Sequence, residues 1–243
     1  MSLSMPGFSP DDLKQFAPRG VIHGGIVVAP VASAFFAERD AQGAVKGVTV
    51  DLLHGFAGMT GLPLELHIFS NSGQVTDAVA DGACDVAFMP MDAERAKRVA
   101  FGPPYYMIES TYLVPAGSSV RSIDAVNRAG VRIVAIANTT TMRSARRTAP
   151  LASVSEVAGV DLMIEMAAKG EGDAFALSAD SFATLLPKLP GARVLPGNFQ
   201  ETGIGIAVPP GRAVATSSAT ALLNGAKSSG LVGQALKTAG FGG

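Results

Sequence analysis

The sequence predicts an α/β protein built as two similar lobes, and three observations carry that prediction. Short apolar strands alternate with amphipathic helices of about ten residues. The alternation restarts near Ala116, and a final segment supplies too few elements to stand alone. Strands alternating with helices indicate mostly parallel sheet with helices packed on its faces.

In order, Ser9, Pro10, Asp11 and Asp12 read as an N-cap, an N1 proline and an acidic first turn, which predicts a short helix to Phe16. "GIVVAP" is a buried strand, "ERDAQGAVKG" a polar turn, "VTVDLLHGFAGMTG" a helix with one apolar side, and "PLELHIF" a second strand. There follow a helix at "SGQVTDAVADG", the strand "CDVAFM", a helix from Asp92 that stops at Gly102-Pro103-Pro104, and a longer strand at "YYMIESTYLVP". After the linker-like "PAGSSV", Ser122 caps "IDAVNRAG", "VRIVAIA" is a strand, and "TTTMRSARR" opens a helix. The stretches "VADGACDVAF" and "AAKGEGDAFA" match each other: each ends a helix, turns at Gly82 or Gly170 and enters a strand at Asp85 or Asp173.

The last segment, "GIGIAVPPGR" with "ALLNGAKSSGLVGQALKTAGF", gives one strand and two helices and must dock on a lobe already formed. If it returns to the first lobe, the chain crosses between lobes near Pro115 and again near Gly203. Two crossings make a hinge over a cleft, where ligands of α/β sheets gather at strand C-termini. The expected division is residues 20–114 with 204–243 as one lobe, 115–203 as the other, and 1–19 as an extension carrying the short helix.

Composition narrows the function. The 243 residues are 48% hydrophobic and 16% charged, enough for one large core or two modest ones. A net charge of -1, from 19 basic and 20 acidic residues, gives no electrostatic reason to expect nucleic acid or an anionic membrane as partner. The basic run "RSARR" reads as a solvated helix face. Cys84 is the sole cysteine, so no intrachain disulfide can form, and its apolar neighbours make it a small core residue.

No stretch approaches the roughly 18 apolar residues of a membrane span, and "MSLSMPGFSP" has neither the basic start nor the apolar centre of a secretion signal. The expectation is a periplasmic protein whose signal has been removed, "MSL" before Met5 being a vector-derived start. His23, His54 and His67 lie far apart without metal-ligand spacing, so no metal and no cofactor are expected. There is no G-x-S-x-G and no P-loop, and "GEGDAF" lacks a third glycine and leads into a strand. Serine hydrolase, nucleotide hydrolase and dehydrogenase chemistry have no positive signal.

Two anion-friendly helix starts remain. Asp92 is a good N-cap, which puts Arg95 in a first turn where the helix dipole disfavours a cation. Arg95 therefore needs a partner: either Asp92 or Glu94 at the surface, or a ligand carboxylate held jointly by the guanidinium and the helix start. Asn138, Thr139, Thr140 and Thr141 form the second start. Plain capping needs one of the four, and the others are available to a ligand.

The segments "GVTVDLLHGFAGMTGLPLELHIF", "DAVADGACDVAF", "ERAKRVAFGPPYY", "YLVPAGSSV" and "GEGDAFA", in that order, resemble the amino-acid-type periplasmic solute-binding proteins, family 3, of ABC importers. The resemblance covers nearly the whole chain from Gly25 to Phe241. It implies the two-lobed type II periplasmic binding protein fold, each lobe a mixed, mostly parallel sheet flanked by helices, with a small ligand enclosed on closure. It also implies a monomer that captures a small carboxylate-bearing metabolite and hands it to an ABC transporter permease, with no catalytic residues.

Residue by residue, the family's carboxylate-gripping arginine falls on Arg95, and its second-lobe loop on Asn138, Thr139 and Thr140. Backbone contacts fall near Met89 and Pro90, although Pro90 has no N–H to give. The aromatic that stacks over the ligand falls on Ser33, with Phe35 and Phe36 just after it. The acid that pairs with a ligand ammonium is replaced by Leu177 and Ser178, which leaves Glu109 or Asp180 as substitutes, each with an ordinary structural reading as well. Gln74 and Ser72 open a helix near the expected pocket, where capping explains Ser72 equally well.

Under this reading Arg95→Ala removes ligand affinity and leaves the ligand-free melting temperature nearly unchanged. Two alternatives share the fold. One is an enzyme resembling cyclohexadienyl dehydratases, with Glu109 as the buried acid. The other is a ligand-sensing domain of a receptor.

Overall fold

The computed structural model describes residues 7–241; the expected start before Met5 lies outside the described residues. Ser9 caps α1 (Pro10–Phe16) with a reciprocal capping box to Asp12. Strand β1 (Ile22–Val27) leads to a two-stranded hairpin, β2 (Glu38–Arg39) and β3 (Val45–Lys46), whose turn is closed by Asp40 Oδ1 accepting from the N–H groups of Gln42 and Ala44, both at 2.9 Å. That hairpin stands where the sequence predicts a polar turn.

Helix α2 (Val48–Thr60), β4 (Leu64–Phe69), α3 (Ser72–Ala80) and β5 (Val86–Pro90) follow as expected. Next, α4 (Ala93–Ala96) is a single turn. A helix that short has little macrodipole, which weakens the electrostatic argument for Arg95 made from sequence. Strand β6 (Ala100–Val114) begins earlier than expected and runs through Gly102-Pro103-Pro104, because proline is tolerated near a strand end where its missing N–H is not needed.

A 3-10 turn at Asp124–Val126 replaces the expected helix after Ser122. The chain continues through β7 (Arg132–Ile136), α5 (Thr140–Thr148), β8 (Ser153–Val157), α6 (Val160–Lys169), β9 (Ala174–Ser178), α7 (Ala179–Leu185), β10 (Arg193–Val194), β11 (Gln200–Val208), α8 (Ala213–Ser228) and α9 (Leu231–Thr238).

Two compact units result. The first holds the residues up to Val28, Ala34–Tyr106 and everything from Gly203 on; the second holds Ala29–Ser33 and Met107–Thr202. The chain leaves the first unit inside β6, between Tyr106 and Met107, upstream of the expected crossing at Pro115. Ala29–Ser33 groups with the second unit, contrary to the expected boundary, and backbone carbonyls explain why: Ala32 O accepts from Thr184 Oγ1 at 3.4 Å and Pro30 O from Lys188 Nζ at 3.1 Å.

In the first unit β1 lies parallel to β4 and β5, and β11 joins β5 antiparallel. Val48, Leu52, Leu53 and Phe56 of α2 are buried there, with Phe56 against Phe88 at 5.8 Å between ring centroids and Phe88 edge-on to Tyr105 at 5.1 Å. Each such side chain contributes about 1.5–3 kcal/mol on burial. Cys84 is fully buried, as its neighbours predict. In the second unit β7 lies parallel to β8 and β9, with β9 antiparallel to β6 and β6 antiparallel to β10. Its core gathers Tyr112, Ile133, Ala135, Met142 and Ala176, and Tyr112 stacks on Phe199 at 4.4 Å.

The internal sequence match reappears atom for atom. Gly82 and Gly170 both take left-handed backbone, at φ 74° and 68°. His23 N–H then donates to Asp85 Oδ2 at 3.0 Å while Asp85 N–H donates to His23 O at 2.8 Å. In the other unit Arg132 N–H donates to Asp173 Oδ2 at 2.8 Å while Asp173 N–H donates to Arg132 O at 2.9 Å. Each aspartate thus pins the start of its strand to a parallel neighbour.

The expectation of scattered histidines is overturned. The β1–β4 register places His23 opposite Glu65 and Gly25 opposite His67, so His23, Glu65 and His67 meet on one face although they are distant in sequence. His54, in α2, is not part of that group.

Candidate functional site

Arg95 is 3% exposed. Its Nη1 donates to Pro90 O at 2.7 Å and its Nη2 to Ser72 Oγ at 2.6 Å, while its backbone N–H donates to the capping carboxylate of Asp92 at 2.8 Å. The guanidinium is therefore fixed at the C-terminal end of β5 and the first residue of α3. Pro90 contributes through its carbonyl, the one backbone polar group it has. Glu94 pairs with Lys97 at 2.7 Å instead of with Arg95. Because removing Arg95 would strand two buried acceptors, the expectation that Arg95→Ala spares ligand-free stability no longer holds.

Ser72 is not the cap of α3. Asn71 is, its Oδ1 accepting from the N–H groups of Gly73 and Gln74. This leaves the Ser72 hydroxyl, 3% exposed, to hold Arg95. Gln74 is exposed, and its Oε1 accepts from both the N–H and the hydroxyl of Ser70. Met89 is fully buried, with Thr76 Oγ1 donating to its sulfur at 3.3 Å. Phe35 and Phe36 are buried with ring centroids 5.1 Å apart.

In the second unit, Asn138 takes φ 59°, the left-handed region that asparagine tolerates better than most residues. Thr139 caps α5: its Oγ1 accepts from Met142 N–H at 3.1 Å and donates to Ile136 O at 2.7 Å. With that hydroxyl engaged on both sides, donation from Thr139 to a ligand would come from its backbone N–H. Thr140 is buried, and Thr141 Oγ1 lies 3.1 Å from Ser110 Oγ.

Ser110 is opposite Ser178 in the β6–β9 ladder, and Ser178 Oγ lies 2.7 Å from Ser181 Oγ. A row of hydroxyls from Ser110, Thr141, Ser178 and Ser181 thus occupies the end of β9, where the sequence pointed to Thr141 and Ser178 without linking them. The missed partners are Ser110, a short polar residue in otherwise apolar β6 whose signal becomes specific once the strand order is known, and Ser181, in α7 three residues beyond Ser178. Leu177 is buried too, on the opposite face of β9 from Ser178. Ser33 is also buried.

Glu109 is exposed between buried Ile108 and Ser110, as strand alternation dictates. It is not the desolvated acid that a dehydratase reading required. Asp180 Oδ1 accepts from Ser181 N–H in the first turn of α7. A surface depression of about 490 Å³ in this unit is lined by Ser118, Arg128, Gly170 and Asp173 among others, at the opposite end of β7 from Thr139, and contains none of the expected ligand residues.

Among the described residues no helix is long and apolar enough to cross a membrane. The profile of bacterial extracellular solute-binding proteins, family 3, matches residues 26–234. The ABC transporter glutamine-binding protein GlnH of Bacillus subtilis (strain 168) is 27% identical over 145 residues, 60% of this chain and 53% of GlnH. The match thus spans about half the length of that relative.

Among solved structures, the ancestral amino acid-binding protein AncCDT-1, a precursor of cyclohexadienyl dehydratase, aligns with a TM-score of 0.80 at 21% identity, covering 93% of this chain and 98% of that one. A mutant of ArgBP from T. maritima aligns at 0.81 and 19% identity over the same shares. The fold is the type II periplasmic binding protein fold, and the family and GlnH are binding proteins by description. With most of its length matched by the profile, the chain belongs to the bacterial extracellular solute-binding proteins of family 3.

Proposed function

We propose that the chain is the periplasmic substrate-binding protein of an ABC importer, which captures a small carboxylate-bearing metabolite and presents it to a permease. The observation that carries this reading is Arg95: a buried guanidinium held by Pro90 O and Ser72 Oγ where a strand ends and a helix begins. That is the place in an α/β unit, beyond a strand's C-terminal end, where ligands gather, and the guanidinium supplies the charge that favours an anion there. The Asn138–Thr140 loop is the second unit's contribution, through backbone N–H groups at the start of α5. Ligand contacts to both units favour a closed form by their differential affinity for it.

The hydroxyl row of Ser110, Thr141, Ser178 and Ser181 supports a ligand whose remaining polar group is uncharged or only partly desolvated. No carboxylate occupies position 178 itself, and a buried ammonium, which would cost several kcal/mol without a carboxylate, would have to pair with Asp180 two residues on. The ligand class is an amino acid or a related polar acid.

A thermal-shift screen over amino acids, their keto and hydroxy analogues, and small dicarboxylates tests this. A ligand at a hundred times its Kd stabilises by about 2.7 kcal/mol. The reading predicts hits among carboxylates that disappear in Arg95→Lys and weaken in Thr140→Val. Hits retained undiminished in Arg95→Lys would overturn it. Incubation with prephenate or arogenate should return either compound unchanged.

A further inference from the structure

We infer that His23, Glu65 and His67 form a zinc-binding site on the first unit, separate from Arg95 and independent of the transport reading. His23 Nδ1 lies 2.8 Å from His67 Nε2. Glu65 approaches both nitrogens, Oε2 at 3.9 Å from His23 Nδ1 and Oε1 at 3.5 Å from His67 Nε2. Tetrahedral zinc with bonds of about 2.0–2.1 Å separates its ligand atoms by about 3.3 Å, and the two ring nitrogens are within about 0.5 Å of that. One oxygen of Glu65 lies within 4.8 Å of both nitrogens, and rotation of its mostly exposed side chain brings it in.

The group is built, not incidental to a flexible surface. Parallel pairing of β1 with β4 fixes His23 beside Glu65, and strand alternation puts His67 on the same face two residues further on. The strand beneath His23 is pinned by its reciprocal hydrogen bonds with Asp85. Side-chain exposure rises from 13% at His23 through 33% at His67 to 60% at Glu65. The imidazoles are thus sheltered, and the carboxylate side stays open to solvent, which leaves a route for the ion and a fourth position for water.

Two imidazole nitrogens this close must share a proton, one donating and the other accepting. A metal replaces that proton and uses both lone pairs. Two imidazoles and a carboxylate suit zinc or its neighbours in the transition series, whereas magnesium and calcium prefer all-oxygen sites.

The test is titration of tag-free protein with zinc alone, followed calorimetrically, with magnesium as control. One zinc per chain and no heat with magnesium are expected. His23→Ala and His67→Ala should each weaken zinc binding at least tenfold with unchanged circular dichroism, and Glu65→Ala should weaken it measurably. Absence of zinc binding, or affinity preserved in the double histidine variant, overturns the site. If the histidine variants misfold, Glu65→Ala decides, since Glu65 is mostly exposed: unchanged affinity there overturns the proposal too. Ligand screening at Arg95 reads separately from all of these outcomes.

Discussion

Arg95 Nη2 donates to Ser72 Oγ across 2.6 Å, tying the single turn of α4 to the opening of α3. The bond makes Arg95 a structural residue as well as the proposed anion contact. Arg95→Ala should lower ligand affinity at least tenfold and also cost about 1–3 kcal/mol of ligand-free stability, because two buried acceptors lose their donor. Ser72→Ala keeps the guanidinium and loses one tether. It should cost about 1 kcal/mol in urea unfolding and weaken the ligand less than Arg95→Ala does. Wild-type affinity and stability in Ser72→Ala would show that the tether is idle.

Asn138 sits at φ 59°. Of two variants that both lose the amide side chain, Asn138→Ala is therefore expected to be about 1 kcal/mol less stable than Asn138→Gly, and a β-branched residue less stable still. Denaturant midpoints of the three variants give the comparison. An alanine variant as stable as the glycine one would contradict it.

The two strand-pinning aspartates differ in burial and so in cost. Asp85 is fully buried and also accepts from Arg19 at 3.2 Å, so Asp85→Ala should cost about 3–5 kcal/mol. Asp173 is partly exposed, and its variant should cost nearer 1 kcal/mol. The bond from Arg132 holds the Asp173 carboxyl below the usual aspartate range, so its contribution is present above that range and is lost as pH falls through the lowered value. Acid unfolding of Asp173→Asn should accordingly lack part of the wild-type pH dependence.

Burial pushes the Tyr112 phenol up to about 12, against a smaller opposing effect of Thr148. An unfolded tyrosine ionises near 10, so between about pH 10 and 12 the native state keeps a proton that the unfolded state has released. Stability from this group is intact below that window and falls through it as pH rises, by about 2–3 kcal/mol. Tyr112→Phe should flatten the decline, as measured by urea unfolding at several alkaline pH values.

Local pattern was enough to place α1, α2, α3, β4 and both Gly-Asp strand entries, because capping and periodicity are local properties. It was not enough for β8, whose Ser153 and Glu156 give "SVSEV" too polar a face to read as a strand. The length of α4 depended on where β6 begins, and proline at Pro103 and Pro104 marked a boundary that the strand in fact runs through. Arg95 was legible as an arginine in need of a partner. Ser72 as that partner was not, because Asn71 beside it competes for the same cap. The His23, Glu65 and His67 group was hidden for a plainer reason: it exists through strand register, which no window of consecutive residues contains.

The twin Asp85 and Asp173 fasteners have an engineering consequence. Each half of the protein brings its own clasp for joining a helix–turn–strand to the strand beside it, built from residues of that half alone. Chimeras that exchange one half with a relative's would keep the clasp of the retained half intact, because none of its atoms comes from the half replaced.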